Sequence, residues 1–230
     1  MEHTIRYAPA YAMAEIIMQP GESVVVESGS MVGMSDNLNI KTSIGGSKSG
    51  FFGWLINLLL AFIRKFLGGE SLFLNTYTPE GGPGTLLISP ALAGDIIHHK
   101  LEGNSLFIQG SSFLASSPGI TIKAVWGGFR SLFGGEGLFL LKASGSGDLW
   151  VNSYGAIKEI EVNGRYTVDT GHIVAFDDTL NYRVKAVGGL KSTFLSGEGL
   201  VTEFSGNGRL YIQTHNLGSL VGWVTPLLPR

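Results

Sequence analysis

Phe66-Leu67-Gly68-Gly69-Glu70-Ser71-Leu72-Phe73-Leu74 returns twice in this chain, as Phe133-Gly134-Gly135-Glu136-Gly137-Leu138-Phe139-Leu140 and as Leu195-Ser196-Gly197-Glu198-Gly199-Leu200-Val201. Gly-Glu followed by a small residue and an alternating apolar run reads as a tight turn opening a strand. Glycine takes positive φ without steric cost, and the run behind it has period two. Glu70, Glu136 and Glu198 are spaced by 66 and 62 residues. A near-constant period of this length predicts repeated supersecondary units, stacked or arranged in a ring.

A second motif keeps the same order. Ser28-Gly29-Ser30-Met31-Val32-Gly33-Met34 corresponds to Ser111-Ser112-Phe113-Leu114-Ala115-Ser116 and to Gly171-His172-Ile173-Val174-Ala175-Phe176, each about ten residues after a turn glycine: Gly21, Gly103 and Gly164. A third set, Gly81-Gly82-Pro83-Gly84, Ser144-Gly145-Ser146-Gly147 and Ser205-Gly206-Asn207-Gly208, breaks the strand that follows each Gly-Glu corner. The expectation is an all-β chain of three tandem units of double-stranded β-helix or β-sandwich type. Their boundaries are 15–93, 95–155 and 157–216, within one compact domain, and an apolar tail follows at 217–230.

The first unit is longer than the others. Met31 to Glu70 is 39 residues, against 23 from Phe113 to Glu136 and 25 from Ile173 to Glu198. The surplus falls on Phe51 to Phe66, which is Leu-rich, lacks proline and predicts one substantial helix over 51–66. Gly53, Asn57 and Arg64 share a narrow stripe and the remaining circumference is apolar, the pattern of a helix covered on nearly all sides. Sixteen residues rise only about 24 Å, short of the ~20 residues that span a bilayer. Phe51, Phe52, Trp54, Leu55, Leu58, Leu59 and Phe62 are therefore candidate contacts with a membrane surface or with a subunit interface, and no full transmembrane span is expected.

Composition narrows the function classes. Charged residues make up 15% of the chain, the net charge is −2, and cysteine is absent. The first removes much of the usual solvated surface; the second argues against nucleic acid, which needs a basic face. The third removes disulfides, thiolate metal sites and cysteine nucleophiles. Met1 to Pro20 carries Glu2 and Glu15 and no apolar block of signal-peptide length, so a cytoplasmic protein, peripheral to a membrane if associated with one, is expected.

Candidate chemistry is sparse. Glu70, Glu136 and Glu198 form a repeated acidic corner that either binds cations or satisfies turn donors beside the repeated basic positions Lys65, Arg130 and Lys191; a folding role accounts better for repetition in every unit. His98-His99 point to opposite faces of a strand and are read as surface residues rather than ligands of one ion. His172, with Asp169 nearby, is read as stabilising its turn. Gly145-Ser146-Gly147 and Gly81-Gly82-Pro83-Gly84 lack the lysine and following helix of a phosphate loop. No catalytic residue, metal or cofactor is expected.

Pro20-Gly21-Glu22-Ser23, Gly69-Glu70-Ser71-Leu72-Phe73-Leu74-Asn75, Ser89 to Ile97, Gly134-Gly135-Glu136-Gly137 and Asp169-Thr170-Gly171-His172-Ile173-Val174-Ala175-Phe176 together resemble the altered-inheritance-of-mitochondria type family, placed with the tryptophan RNA-binding attenuation protein-like folds. The resemblance covers Glu15 to about Asn216. It implies three tandem β units and a homotrimer whose nine units form a pseudo-ninefold ring. The segment Phe51 to Phe66 departs from it, being longer or more apolar than the usual glycine-rich connection. The resulting expectation is a non-enzymatic trimeric scaffold that contacts a membrane or hydrophobic partner; the alternative is a small-molecule- or RNA-binding ring with sites between units.

Overall fold

Alternation of buried and open side chains, the mark of a pleated strand with one face inward, runs through most of the computed structural model, which describes residues 1–44, 73–126, 139–186 and 200–228. In chain order the strands are β1 (Glu2–Arg6), β2 (Met13–Met18), β3 (Val24–Glu27), β4 (Met31–Met34), β5 (Leu38–Ile44), β6 (Phe73–Pro79), β7 (Gly84–Ile88), β8 (Ile96–Gln109), β9 (Phe113–Ser116), β10 (Ile120–Trp126), β11 (Phe139–Asn152), β12 (Ile157–Asp169), β13 (Ile173–Asp177), β14 (Asn181–Ala186) and β15 (Leu200–Gln213). The described residues are predominantly β, as the sequence predicts. The helix expected over 51–66 lies outside the described residues, as do all three Gly-Glu corners. β6, β11 and β15 nevertheless begin within a few residues of Glu70, Glu136 and Glu198, where the period-two runs place them.

The strands form a four-stranded sheet, β1-β2-β7-β4, and an 11-stranded one, β12-β15-β13-β8-β11-β9-β3-β6-β5, with β10 added on β11 and β14 on β15. Three long strands in the larger sheet change neighbours midway. β11 pairs with β10 from Phe139 to Gly145 and with β9 from Leu149 to Val151; β15 pairs with β14 from Leu200 to Ser205 and with β13 from Leu210 to Ile212. β8 meets β13 only at Leu106, Phe107 and Ile108. The changeovers fall at glycines with positive φ, Gly103 at 91°, Gly145 at 121° and Gly206 at 121°, where a Cβ would be strained. Each strand can therefore leave one layer and enter the next.

Three buried clusters follow. Ala14, Ile16 and Met18 of β2 and Leu86 and Ile88 of β7 pack on Val24, Val26, Tyr77 and Trp150; Leu101, Leu106, Ile108, Leu149 and Val151 pack on Val174, Ala175 and Tyr211; Leu140, Val162, Val168 and Phe176 pack on Val184, Phe204 and Leu210. The layers are thus stacked in series along the chain.

The joints between strands obey one pattern. β4 on β7, β9 on β11 and β13 on β15 each carry a bulge after their first paired residue: Met31↔Ile88 then Gly33↔Leu87, Phe113↔Val151 then Ala115↔Trp150, Ile173↔Ile212 then Ala175↔Tyr211. The turn after each is also closed alike, with Leu38, Ile120 and Leu180 donating their N–H to the carbonyls of Ser35, Ser117 and Asp177 at 3.1 Å in each case. Side-chain oxygens of the same three residues accept from Thr85, Asp148 and Arg209 N–H at 3.0, 2.8 and 2.9 Å. Beyond β15, Leu217–Val224 forms a short helix, α1, whose Asn216 side chain accepts from Gly218 N–H at 2.7 Å. The sequence reading gave this tail no helix.

Candidate functional site

Strand edges are the chemically open part of this surface, because an unpaired edge presents N–H and C=O groups to any chain that can match them. Two edges stand apart from the rest. β9 lies between β11 and β3, and β13 lies between β15 and β8; β4, which carries the same bulge, pairs with β7 and has no second neighbour among the described residues. On the other side of these joints, β3 and the Leu106–Ile108 stretch of β8 receive β9 and β13, whereas among the described residues β12 pairs with β15 alone.

The side chains match the exposed backbone. Met31, Val32 and Met34 on β4 are 40%, 57% and 39% exposed, and Tyr166 on β12 is 42% exposed. The counterparts of Met31 by register, Phe113 and Ile173, are buried at 1%. On β4 no charged side chain blunts the edge, a pattern that natural sheets avoid unless a partner covers it, whereas β12 carries Arg165 beside Tyr166.

A second open apolar surface lies at the C-terminus. No residue of α1 is buried, and Val221, Trp223, Leu227 and Leu228 are all more than half exposed. No helix among the described residues is long and apolar enough to cross a membrane.

Polar side chains gather on β8. His98, read from sequence as a surface residue, is instead half-buried, with Nε2 2.9 Å from Asp148 Oδ1 and its ring 4.0 Å from that of His3. The α-ammonium of Met1 donates to Asp148 Oδ2 at 3.0 Å. Burial alone would raise the Asp148 carboxyl, but the hydrogen bonds from Met1 and His98 outweigh it and hold it below the ordinary carboxylate range. Burial lowers His98, against the opposing pull of Asp148. His99, also read as surface, is only 8% exposed, and burial followed by the Arg209 charge lowers it as well. The correction has a simple cause: sequence shows that neighbours face opposite ways but not that both faces of β8 are covered, one by His3 and Trp150, the other by Tyr211.

Arg209 is held by Asp177, which accepts from Nε at 3.2 Å and Nη2 at 3.4 Å. Beside it, a cleft of about 450 Å³ is lined by His98, His99, Lys100, Glu102, Asn104 and Arg209. Burial pushes the nearby Tyr211 hydroxyl up to about 12. His172 ties its turn to the end of β15, with Nδ1 2.8 Å from Gln213 O, while the bond within the turn is made by Asp169, whose Oδ1 accepts from Gly171 N–H at 2.7 Å.

Glu70, Glu136, Glu198, Lys65, Arg130, Lys191 and the apolar set Phe51, Phe52, Trp54, Leu55, Leu58, Leu59 and Phe62 all lie outside the described residues. The edge strands, the Met1–Asp148–His98 cluster and the Arg209–Asp177 pair were missed in the sequence. Only the first had a usable signal, the apolar Met31-Val32-Gly33-Met34 in a motif whose other copies are strands.

A family model described as mitochondrial biogenesis AIM24 matches residues 3–215. An uncharacterized protein of Streptococcus pyogenes serotype M6 is 33% identical over 232 residues, covering 100% of this chain and 92% of that protein. A crystal structure of a Streptococcus pyogenes protein superposes with a TM-score of 0.78 at 30% identity, covering 99% of both chains.

Proposed function

The chain belongs to the mitochondrial biogenesis AIM24 family, and on that footing we propose that it is a non-enzymatic scaffold that assembles head to tail with copies of itself. Three tandem β units at 15–93, 95–155 and 157–216 are the basis of this reading. It is supported by the shared bulge register, by the shared turn bonds at Ser35, Ser117 and Asp177, and by the positive φ of Gly21, Gly103 and Gly164 at 90°, 91° and 105°.

The observation that carries the proposal is a sheet left in two halves. Two six-stranded layers are complete: β8-β11-β9-β3-β6-β5 through the second half of β11, and β12-β15-β13-β8-β11-β10 through the second half of β15. The third layer has β2-β7-β4 at one end of the chain and the later half of β12, with β15 and β14, at the other. Joining β4 to β12 of the next copy completes it. Such a contact is heterologous and closes only as a ring; three chains is the size implied by the family resemblance.

The insert at 51–66 and the open apolar residues of the tail then serve as contacts with a membrane surface, holding the cytoplasmic ring peripherally. Trp223, 69% exposed, suits an interfacial position because its ring is amphipathic. Light scattering tests assembly: wild type is expected at three times 24.5 kDa and Met34→Lys at 24.5 kDa. A wild type of 24.5 kDa at micromolar concentration contradicts the scaffold. Flotation with liposomes tests the membrane contact, which is expected to weaken in Trp223→Ser/Leu227→Ser; equal flotation removes the tail from it.

A further inference from the structure

We propose that the cleft beside β8 and β15 binds a small hydrophilic carboxylate, through Arg209, Lys100, His99 and Asn104. This site is separate from the self-assembly surface and does not depend on it.

Position comes first. His98, Lys100 and Glu102 lie on one face of β8 and His99 on the other, yet all four line the same cleft. A cleft meets both faces of a strand only where it runs along an unpaired edge. β8 has such an edge here: among the described residues it pairs with β11 alone from Ile96 to Glu102, and β13 joins only at Leu106. The cleft is about 450 Å³, within the range of small-molecule sites.

The donors are arranged for an acceptor-only ligand. Asp177 takes Nε and one Nη2 hydrogen of Arg209, orienting the guanidinium and leaving its Nη1 donors unused. Asn104 Oδ1 accepts from Glu102 N–H at 3.0 Å, which leaves the amide NH₂ to donate. Lys100 has no ion pair within the described residues, and His99, more than nine-tenths buried, has no hydrogen bond there. The His99 ring nitrogens are not sealed from solvent, so they are open to a ligand in the cleft.

Charge and lining select the ligand class. Lys100 and Arg209 stand against two carboxylates, Glu102 and the Asp177 that holds Arg209, so the cleft carries no net charge and its free donors suit a monoanion better than a dianion. Among the described residues no aliphatic side chain lines the cleft, which favours a short hydroxy acid over a fatty one. A carboxylate also suits the planar fork of Arg209.

Titration of the full chain with lactate, followed through the Asn104 side-chain amide and His99 ring signals by NMR, tests this. Succinate and inorganic phosphate are comparison probes. Saturable shifts with lactate are expected in the low-millimolar range or tighter, with weaker binding of both dianions. Lys100→Gln and Arg209→Lys are expected to weaken binding about tenfold and Glu102→Gln to strengthen it several-fold. Absence of a saturable response to lactate in the wild type, or equal affinities in Lys100→Gln and Glu102→Gln, overturns the proposal. Both of those positions are surface residues, so the comparison holds even if Arg209→Lys fails to fold. Stronger binding of phosphate than of lactate overturns the carboxylate assignment.

Discussion

Ser117 and Asp148 hold each other twice: Ser117 N–H donates to the Asp148 carbonyl at 2.8 Å, and Asp148 N–H donates to Ser117 Oγ at 2.8 Å. The pair closes the corner between β9 and β10 against β11. Ser117→Ala leaves a partly buried N–H without an acceptor and is expected to cost about 1–3 kcal/mol. Urea unfolding checks it, with a lower midpoint at unchanged slope. Thr42→Ala, which removes an exposed hydroxyl bond to Asn75, is the control and should cost much less.

Acid should destabilise the fold in two stages. His98 and His99 are held below the ordinary imidazole value of 6.5, chiefly by burial, so the unfolded chain binds protons that the folded chain does not. Stability is complete above 6.5 and falls as pH drops from there through the folded values. Asp148 acts the same way lower down, its contribution being lost as pH falls below the ordinary 3.8 towards its depressed folded value. Unfolding midpoints between pH 5 and pH 8 are expected to rise with pH, and His99→Gln to flatten that slope. A flat wild-type profile contradicts the burial of both rings.

Two glycines separate backbone strain from crowding. A Cβ on Gly103, φ 91°, meets nothing within 4 Å, so Gly103→Ala costs only its conformation, about 1–2 kcal/mol. A Cβ on Gly94 would stand 1.7 Å from the Ser153 carbonyl oxygen, where the chain forms an isolated parallel bridge with Gly155. Gly94→Ala is expected to be the more damaging by several-fold in free energy, seen as lost soluble expression or a much lower melting temperature.

Fold class was legible because strand signals are local: the apolar runs behind Glu70, Glu136 and Glu198 and turn glycines such as Gly21, Gly103 and Gly164 need no knowledge of distant contacts. The β4 edge was half legible. Its motif was visible, but that β9 and β13 gain a second neighbour while β4 does not is a fact of pairing between residues far apart in sequence. His98 meets Asp148 across a separation of 50 residues, and no spacing rule points from one to the other. The helix α1 was hidden by composition: Leu217-Gly218-Ser219-Leu220-Val221-Gly222 has two glycines and a β-branched residue, all poor helix formers, and Asn216 is the one capping signal.

Head-to-tail pairing makes a statement about register that the absence of cysteine renders simple to check. Phe176 pairs with Phe107 and Ser116 with Val25, so the same joint between copies sets Met34 opposite Thr167. Directly opposed strand residues have Cβ atoms about 4.5–5.5 Å apart, near enough for a disulfide after small shifts. The double variant Met34→Cys/Thr167→Cys is predicted to give crosslinked multiples of 24.5 kDa on non-reducing electrophoresis, which collapse on reduction, while neither single variant extends beyond a dimer. A double variant that stays at 24.5 kDa under oxidising conditions contradicts the completed sheet.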